Sequence, residues 1–373
     1  MSKNVVICGF ARSPFTQANK GQLAKVRPDD LAAEVVKGLV KNNSIKVDDV
    51  EDLILGCAFP EAEQGMNLAR NVVFLSGLPH SVGGVTVNRF CASSMQAIHQ
   101  AVGAIISGSG ELFIAGGVES MSRVPMAGFN PMLNPSLIDM DAYIGMGHTA
   151  ENLAKKHSIS RAKQEEMALA SHQKAAKAKD EGSFKEEIIS INGINEDGCI
   201  RPDTSLESMA KLKPAFDKDG VVTAGTSSPL TDGASAVIIC SEDYANSNNL
   251  EIMAFIRGMA VSGCSPEVMG IGPVLSSQKA LKRAGISLKD IDIIEMNEAF
   301  AAQSLACVEE LGIDMKKLNL HGGAISLGHP LGASGARITG KAAALLEVTN
   351  KRFALSTMCV GGGQGCATVL ERP

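Results

Sequence analysis

Short apolar runs of strand length alternate with longer amphipathic runs along most of this chain, and that alternation confines it to layered α/β folds. "NVVICG" (4–9), "VEDLILGCAF" (50–59), "GVTVN" (84–88) and "ELFIAGG" (111–117) read as strands. Between them "DDLAAEVVKGLVKN" (29–42), "NLARNVVFLSG" (67–77) and residues 92–107 read as helices. In the last of these Met95, Ile98, Val102 and Ile105 fall 3, 4 and 3 residues apart on one face. From about 118 to 221 the texture changes to a turn- and methionine-rich stretch followed by charged, exposed helices. That region reads as an insertion or cap, with Ser160 placed to cap one helix. The α/β texture returns at 232–241 and opens a second block at 251–263. There "SSQKALKRAG" (276–285) reads as a helix capped by serine and stopped by glycine. "DIDIIEMNEAF" (290–300) is a strand entering a polar turn, 336–348 a helix, and 352–371 two strands joined by glycines. The two blocks echo each other: each runs strand, reactive residue, small-residue turn, helix.

At 373 residues the chain is long enough for two or three domains. A net charge of −5 speaks against a nucleic-acid binder. No run of about 18 apolar residues predicts a membrane span. The N-terminus lacks the pattern of a signal peptide and the C-terminus matches no common address tag, so a cytoplasmic protein is expected. Nine cysteines, an odd number with no CxxC pair, fit a reducing compartment without disulfides and give no zinc motif.

Three stretches stand above this background. In "NRFCASSMQAIHQAVGAIISG" (88–108), Cys91 precedes a helix. Cysteine is often only a small buried hydrophobe. At a helix mouth, however, orphan amides and the helix dipole would stabilise its thiolate and lower its pKa from ~8.5 to well below ~8. In "HGGAISLGHPLGASGARI" (321–338), Pro330 holds the preceding His329 in an extended backbone, which suits a general base better than a core filler. In "MCVGGGQG" (358–365), Cys359 leads into three glycines whose backbone amides could form an oxyanion hole. Asn297, in "MNEAF", adds a neutral donor at a strand end, a usual ligand position in α/β sheets. The first strand is followed by no GxGxxG, so no nucleotide redox cofactor is expected. One thiolate to attack a carbonyl, a histidine to take its proton and a second cysteine to move another proton would make an acyl-enzyme.

The motifs "VNRFCASSMQAI", "GGVESMS", "GVVTAGTSSPLTDGA", "MNEAFAAQ", "GGAISLGHPLGASGAR" and "CVGGGQG" resemble those of the thiolase family, in the family's order and over nearly the whole chain. The resemblance implies two βαβαβαββ halves in five α-β-α-β-α layers. Residues 1–117 and 222–249 would form the N-terminal half, 118–221 an inserted loop domain binding coenzyme A, and 250–373 the C-terminal half. It implies Cys91 as the acylated nucleophile, His329 as its activating base and an oxyanion-hole donor, and Cys359 as the second, acid/base cysteine. Asn297 would hold a water in the first oxyanion hole. The backbone amides of Cys91 and Gly361 would form the second hole, and Ser228 would lie near the pantetheine arm of coenzyme A. The implied reaction is CoA-dependent cleavage of a 3-oxoacyl-CoA to acetyl-CoA and an acyl-CoA two carbons shorter. Coenzyme A would act as a substrate, with no metal.

Several positions depart from the family pattern. His321 stands where asparagine is common, and Pro229 follows Ser228 where glycine or alanine is usual. The segment from Ser122 to Met146 is short compared with tetrameric biosynthetic members, and Gly145–Met146 replaces their His-Met. These last two features favour a dimeric, degradative enzyme. "VNRFCASSMQA" and "TMCVGGGQG" look most like thiolase subunits of bacterial fatty-acid oxidation complexes, where a thiolase dimer pairs with a hydratase/dehydrogenase subunit. The alternatives are acetoacetyl-CoA synthesis from two acetyl-CoA and a non-catalytic CoA or lipid carrier. Decarboxylating condensing enzymes share the fold but usually carry Cys-His-His or Cys-His-Asn, which Cys359 argues against.

Overall fold

The computed structural model describes residues 3–373. Its strands are β1 (Val5–Arg12), β2 (Thr16–Gln17), β3 (Asp52–Gly56), β4 (Gly83–Val87), β5 (Leu112–Ser120), β6 (Thr231–Ser241), β7 (Ala254–Gly263), β8 (Ile293–Met296), β9 (Phe353–Val360) and β10 (Gln364–Glu371). In space they run β4-β3-β5-β6-β1-β7-β10-β9-β8, with the two-residue β2 beside β6. β1 and β7 join the two halves through only two pairs, Val6 with Phe255 and Ile7 with Ala254.

The internal repeat is legible in this order. With β2 set aside, the strands of the first half lie first-fifth-fourth-second-third by chain position. The second half repeats the first four places as β7-β10-β9-β8, and its third strand shrinks to one parallel bridge between Leu318 and Ile294. In each half a helix follows that third position: Ser93–Ser107 in the first, Leu331–Val348 in the second.

These two helices form the middle layer. Ala97, Ile98, Ala101 and Ile105 from one, and Ala342, Leu345 and Leu346 from the other, share a core with Ile54, Phe113 and Ile239 of the first half and Ile293, Ala354 and Leu370 of the second. The helices approach closely because both are rich in small residues. The Ala336 amide donates to Ser94 Oγ at 2.9 Å, and a Cβ on Gly335 would overlap the Met95 backbone. Outside the first half, helices Pro28–Asn43 and Leu68–Ser76 cover Leu53, Leu55, Ile114 and Ile238. Outside the second, helices Gly272–Ala284 and Ala301–Leu311 cover Ile294, Leu355, Ala367 and Val369. Five alternating layers result. β5 and β6 are buried on both faces, which explains why their sequences run apolar rather than alternating.

Between β5 and β6 lie helices Pro135–Ile138, Met146–Lys156, Arg161–Asp180 and Leu206–Ala210. Ser160 caps the third of these by accepting from the Lys163 amide, as expected. Buried Arg12 of β1 anchors this region: it binds Glu187 at 2.7 Å and Asp197 at 2.7 and 2.8 Å.

Two helices start earlier than their sequence patterns indicate. The helix expected over 276–285 begins at Gly272, with Pro273 in its first turn, so Ser276 is not its cap but bonds back to the Gly272 and Pro273 carbonyls. The helix expected over 336–348 begins at Leu331, directly after the His329–Pro330 pair. Glycines in its first turns hid that start, because glycine is a poor helix former that here serves close packing. No helix among the described residues is long and apolar enough to cross a membrane.

Candidate active site

Each reactive side chain sits where one of these elements ends. Cys91 lies in a short 3-10 turn, Phe90–Ala92, that feeds helix Ser93–Ser107. The turn is bent by Phe90, whose φ of 43° is unusual for a residue with a side chain. Asn88 supports the bend by accepting from the Phe90 amide at 2.8 Å. Cys91 keeps 9% of its surface exposed, and the backbone N–H groups of Gly361 and of Cys91 itself favour the charged form of its sulfur.

The expectation of a depressed thiol pKa is corrected. Burial outweighs the two amides and, helped by the negative charge of Glu119, pushes Cys91 up to about 11. The resting sulfur is a thiol, and a base must take its proton.

His329 follows Gly328, whose φ of 103° is open to glycine and strained for other residues. The Thr231 hydroxyl accepts from the His329 amide at 3.0 Å and donates to the Pro229 carbonyl at 2.7 Å. The ring lies between Asn297 and Ser334: Nε2 is 3.2 Å from Asn297 Nδ2, and Nδ1 is 2.5 Å from Ser334 Oγ. Ser334 Oγ also lies 3.0 Å from the Pro330 carbonyl, which can only accept. The hydroxyl proton therefore goes to Pro330, Nδ1 carries the ring proton, and the Nε2 lone pair faces the Asn297 amide. Burial, with a smaller contribution from Arg337, lowers the imidazole pKa to about 3 and keeps the ring neutral.

Asn297 follows β8, and its amide donates to the Thr357 carbonyl of β9 at 3.0 Å. Its side-chain Oδ1 is buried without a partner among the described residues. Two residues beyond Thr357, Cys359 is wholly buried on β9. Burial raises its thiol pKa well above the ordinary range, and the nearby Cys91 raises it further. Beyond β9, Gly361 lies against Phe90 and Met146, which a Cβ there would meet at ordinary contact distances of 3.6 Å and more. The half-buried Ser228 is held beside the site by its amide, which donates to the Ala299 carbonyl at 3.0 Å, two residues from Asn297. His321 lies apart from these contacts, edge-on to Phe184 with ring centroids 6.1 Å apart.

Three residues of this neighbourhood escaped the sequence reading. Ser334 orients the His329 ring. Glu298 accepts from Ser171 Oγ and Asn319 Nδ2, both at 2.6 Å, and fixes the glycine loop before His329. Glu119 is wholly buried at the end of β5. A carboxylate ending an apolar strand is a signal in itself, because buried acids need partners. Among the described residues no group of His, Cys, Asp and Glu could hold a metal ion.

With this geometry in place, comparison with known proteins is informative. The thiolase N-terminal domain pattern matches residues 5–243 and the thiolase C-terminal domain pattern residues 250–372. The chain belongs to the thiolase family. It is 50% identical over 388 residues to the 3-ketoacyl-CoA thiolase of Aliivibrio fischeri, with 100% of both chains covered. It is 49% identical over 387 residues to that of Shewanella loihica, covering 99% of this chain and 100% of the relative. The crystal structure of human mitochondrial 3-ketoacyl-CoA thiolase in complex with CoA superposes with a TM-score of 0.92 at 39% identity, over 100% of this chain and 98% of that one. Bacillus anthracis acetyl-CoA acetyltransferase gives a TM-score of 0.92 at 38% identity, covering 100% and 99%. The enzyme is an acetyl-CoA C-acyltransferase of the 3-ketoacyl-CoA thiolase type, with coenzyme A as a substrate. It cleaves 3-oxoacyl-CoA thiolytically.

Proposed function

We propose that Cys91 is the acylated nucleophile, with His329 as its base and Cys359 as the acid/base at the substrate carbon. His329 Nε2 takes the Cys91 proton, and the sulfur attacks the keto carbon of a 3-oxoacyl-CoA. The bond between carbons two and three breaks, its electron pair staying on carbon two. The Cys359 thiol protonates that carbon, and acetyl-CoA leaves. A second CoA thiol then gives its proton to the Cys359 thiolate and attacks acyl-Cys91, releasing the shortened acyl-CoA. The Cys91 sulfur recovers its proton from His329.

Two oxygens carry negative charge along this path, and preorganised donors are the largest single aid to such steps. His329 and Asn297, with a water, serve the enolate of acetyl-CoA. The amides of Cys91 and Gly361 serve the tetrahedral adduct on Cys91. The observation that carries the reading is the His329 ring, fixed between Asn297 and Ser334 with its proton on Nδ1 and its lone pair on Nε2.

In this reading residues 1–117 and 222–249 form one catalytic half and 250–373 the other. Residues 118–221 hold coenzyme A, with Ser228 along its pantetheine arm. A homodimer is supported by β4, an edge strand with exposed Val85 beside exposed Met66, Phe74 and Leu75. Association with a hydratase/dehydrogenase subunit rests on the sequence resemblance alone. A cytoplasmic location is supported by nine cysteines that all stand as free thiols.

Acetyl-CoA mixed with the protein should leave an acetyl group on Cys91, read by peptide mass spectrometry, and Cys91→Ala should abolish adduct and turnover together. Retained turnover in that variant would refute the assignment. Cleavage rates over a 3-oxoacyl-CoA chain-length series should extend beyond four carbons; activity at four carbons alone would favour acetoacetyl-CoA synthesis.

A further inference from the structure

Glu119 is buried where the two halves of the molecule meet, and its carboxylate is shared between them. From the first half, the amides of Ala58 and Phe59 donate to it at 2.8 and 3.2 Å, and Gln64 Nε2 donates at 2.9 Å. From the second half, the Gly332 amide donates at 2.8 Å. Gly332 lies in the first turn of helix Leu331–Val348, three residues after His329. The same seam is closed by backbone contact: a Cβ on Gly117 would overlap the Gly332 carbonyl. Four charge-assisted bonds hold this one buried carboxylate, and one of them crosses to the second half.

We infer that Glu119 is a positioning residue for thiolysis, pinning the segment that carries His329 to the half that carries Cys91. The inference rests on the roles proposed above for those two residues. The carboxylate acts at one remove, through the Gly332 amide. Its charge has a second effect: it disfavours the Cys91 thiolate in the resting enzyme. The charges of Glu119 and Cys359 couple to that sulfur, His329 is the base assigned to it above, and the Cys57 thiol faces the Glu119 carboxylate at 3.6 Å.

The test uses the full chain and two variants. Glu119→Gln removes the charge and turns one acceptor into a donor facing amide donors. Glu119→Asp keeps the charge but is one methylene too short to span both halves. Displacement of a catalytic group by about 1 Å can cost on the order of 10²-fold in rate, so both variants should lose kcat to that extent with KM for CoA little changed. The pH midpoint for iodoacetamide alkylation of Cys91, located by peptide mass, should fall in Glu119→Gln and stay near its original value in Glu119→Asp. The midpoint reads the charge alone; loss of kcat in both folded variants at little-changed KM is what a merely structural role would not give. Unchanged kcat in folded variants would overturn the inference. Failure of both to fold would do the same, by assigning Glu119 to stability alone. Acetylation of Cys91 in the parent chain is the control: its absence would sink the catalytic reading and this inference with it, whereas its presence beside unchanged variant turnover would sink this inference only.

Discussion

Asn297 Nδ2 donates to His329 Nε2 across 3.2 Å, while Ser334 holds the opposite ring nitrogen at 2.5 Å. The imidazole is thereby fixed in one tautomer and one plane before any substrate arrives. With its proton on Nδ1, the ring can accept another only at Nε2, where the Asn297 amide must give way. Ser334 also donates to the Pro330 carbonyl, so its own hydroxyl cannot turn round to compete.

Removing that hydroxyl should therefore damage catalysis and spare binding. In Ser334→Ala the ring can populate the other tautomer, and kcat should fall on the order of 10-fold or more, a fraction of what general-base catalysis supplies. KM for CoA should change little. Steady-state thiolysis separates the two constants, and an unchanged kcat would count against the tautomer argument.

The buried ring also sets a pH expectation. An exposed histidine would charge near pH 6.5, and a base that charges stops working. Burial lowers His329 to about 3, so the neutral, active form persists well below neutrality. The kcat/KM profile, which reports the free enzyme, should show no acid limb from this ring between about pH 5 and 7. A limb centred near 6.5 that vanishes in His329→Ala would contradict the burial argument.

The sequence carried the order of elements and singled out its candidate site residues because both are local properties. Strand-length apolar runs, the glycine and proline around His329, and the glycines after Cys359 can each be read within a dozen residues. The pKa of Cys91 could not be read that way. A helix mouth is a local feature that lowers it, whereas burial and the charge of Glu119 act on the sulfur only once the chain has folded, and burial prevails. Glu119 was missed because its partners come from distant segments, Ala58 to Gln64 and Gly332. Ser334 bonds residues only four and five positions away, but nothing in a run of small residues marks which hydroxyl faces the ring. The early start of helix Leu331–Val348 was hidden because its glycines are explained by the neighbouring helix and not by their own segment.

That packing predicts a cost. Gly335 has no room for a methyl group against the Met95 backbone. Backbone cannot swing aside as a flexible side chain can, so Gly335→Ala must push the two central helices apart. Overpacking of this kind costs about 1–3 kcal/mol. Urea denaturation should show that loss as a lower midpoint. Gly103→Ala, on the other central helix, is the control, because a Cβ there meets nothing within 4 Å. It should be neutral or slightly stabilising, as alanine favours helix over glycine.

The anchor of the inserted region predicts how stability depends on acid. Arg12 binds Asp197 with two nitrogens and Glu187 with a third, and Lys341 of the central helix binds Glu187 at 2.7 Å. Burial alone would raise the Glu187 carboxyl, but Lys341 and Arg12 outweigh it and hold it below its ordinary value of 4.5. A group depressed in the folded state contributes its stability above the unfolded value and loses it as pH falls through the folded one. The urea midpoint should therefore decline as pH drops below about 4.5. Arg12→Met leaves two buried carboxylates with only Lys341 between them, a change that typically costs about 3–5 kcal/mol. It should also flatten the acid dependence, because burial then raises the Glu187 carboxyl and protonation relieves the site. A variant as stable as the parent at pH 7, or one with the same acid decline, would show that the inserted region is held elsewhere.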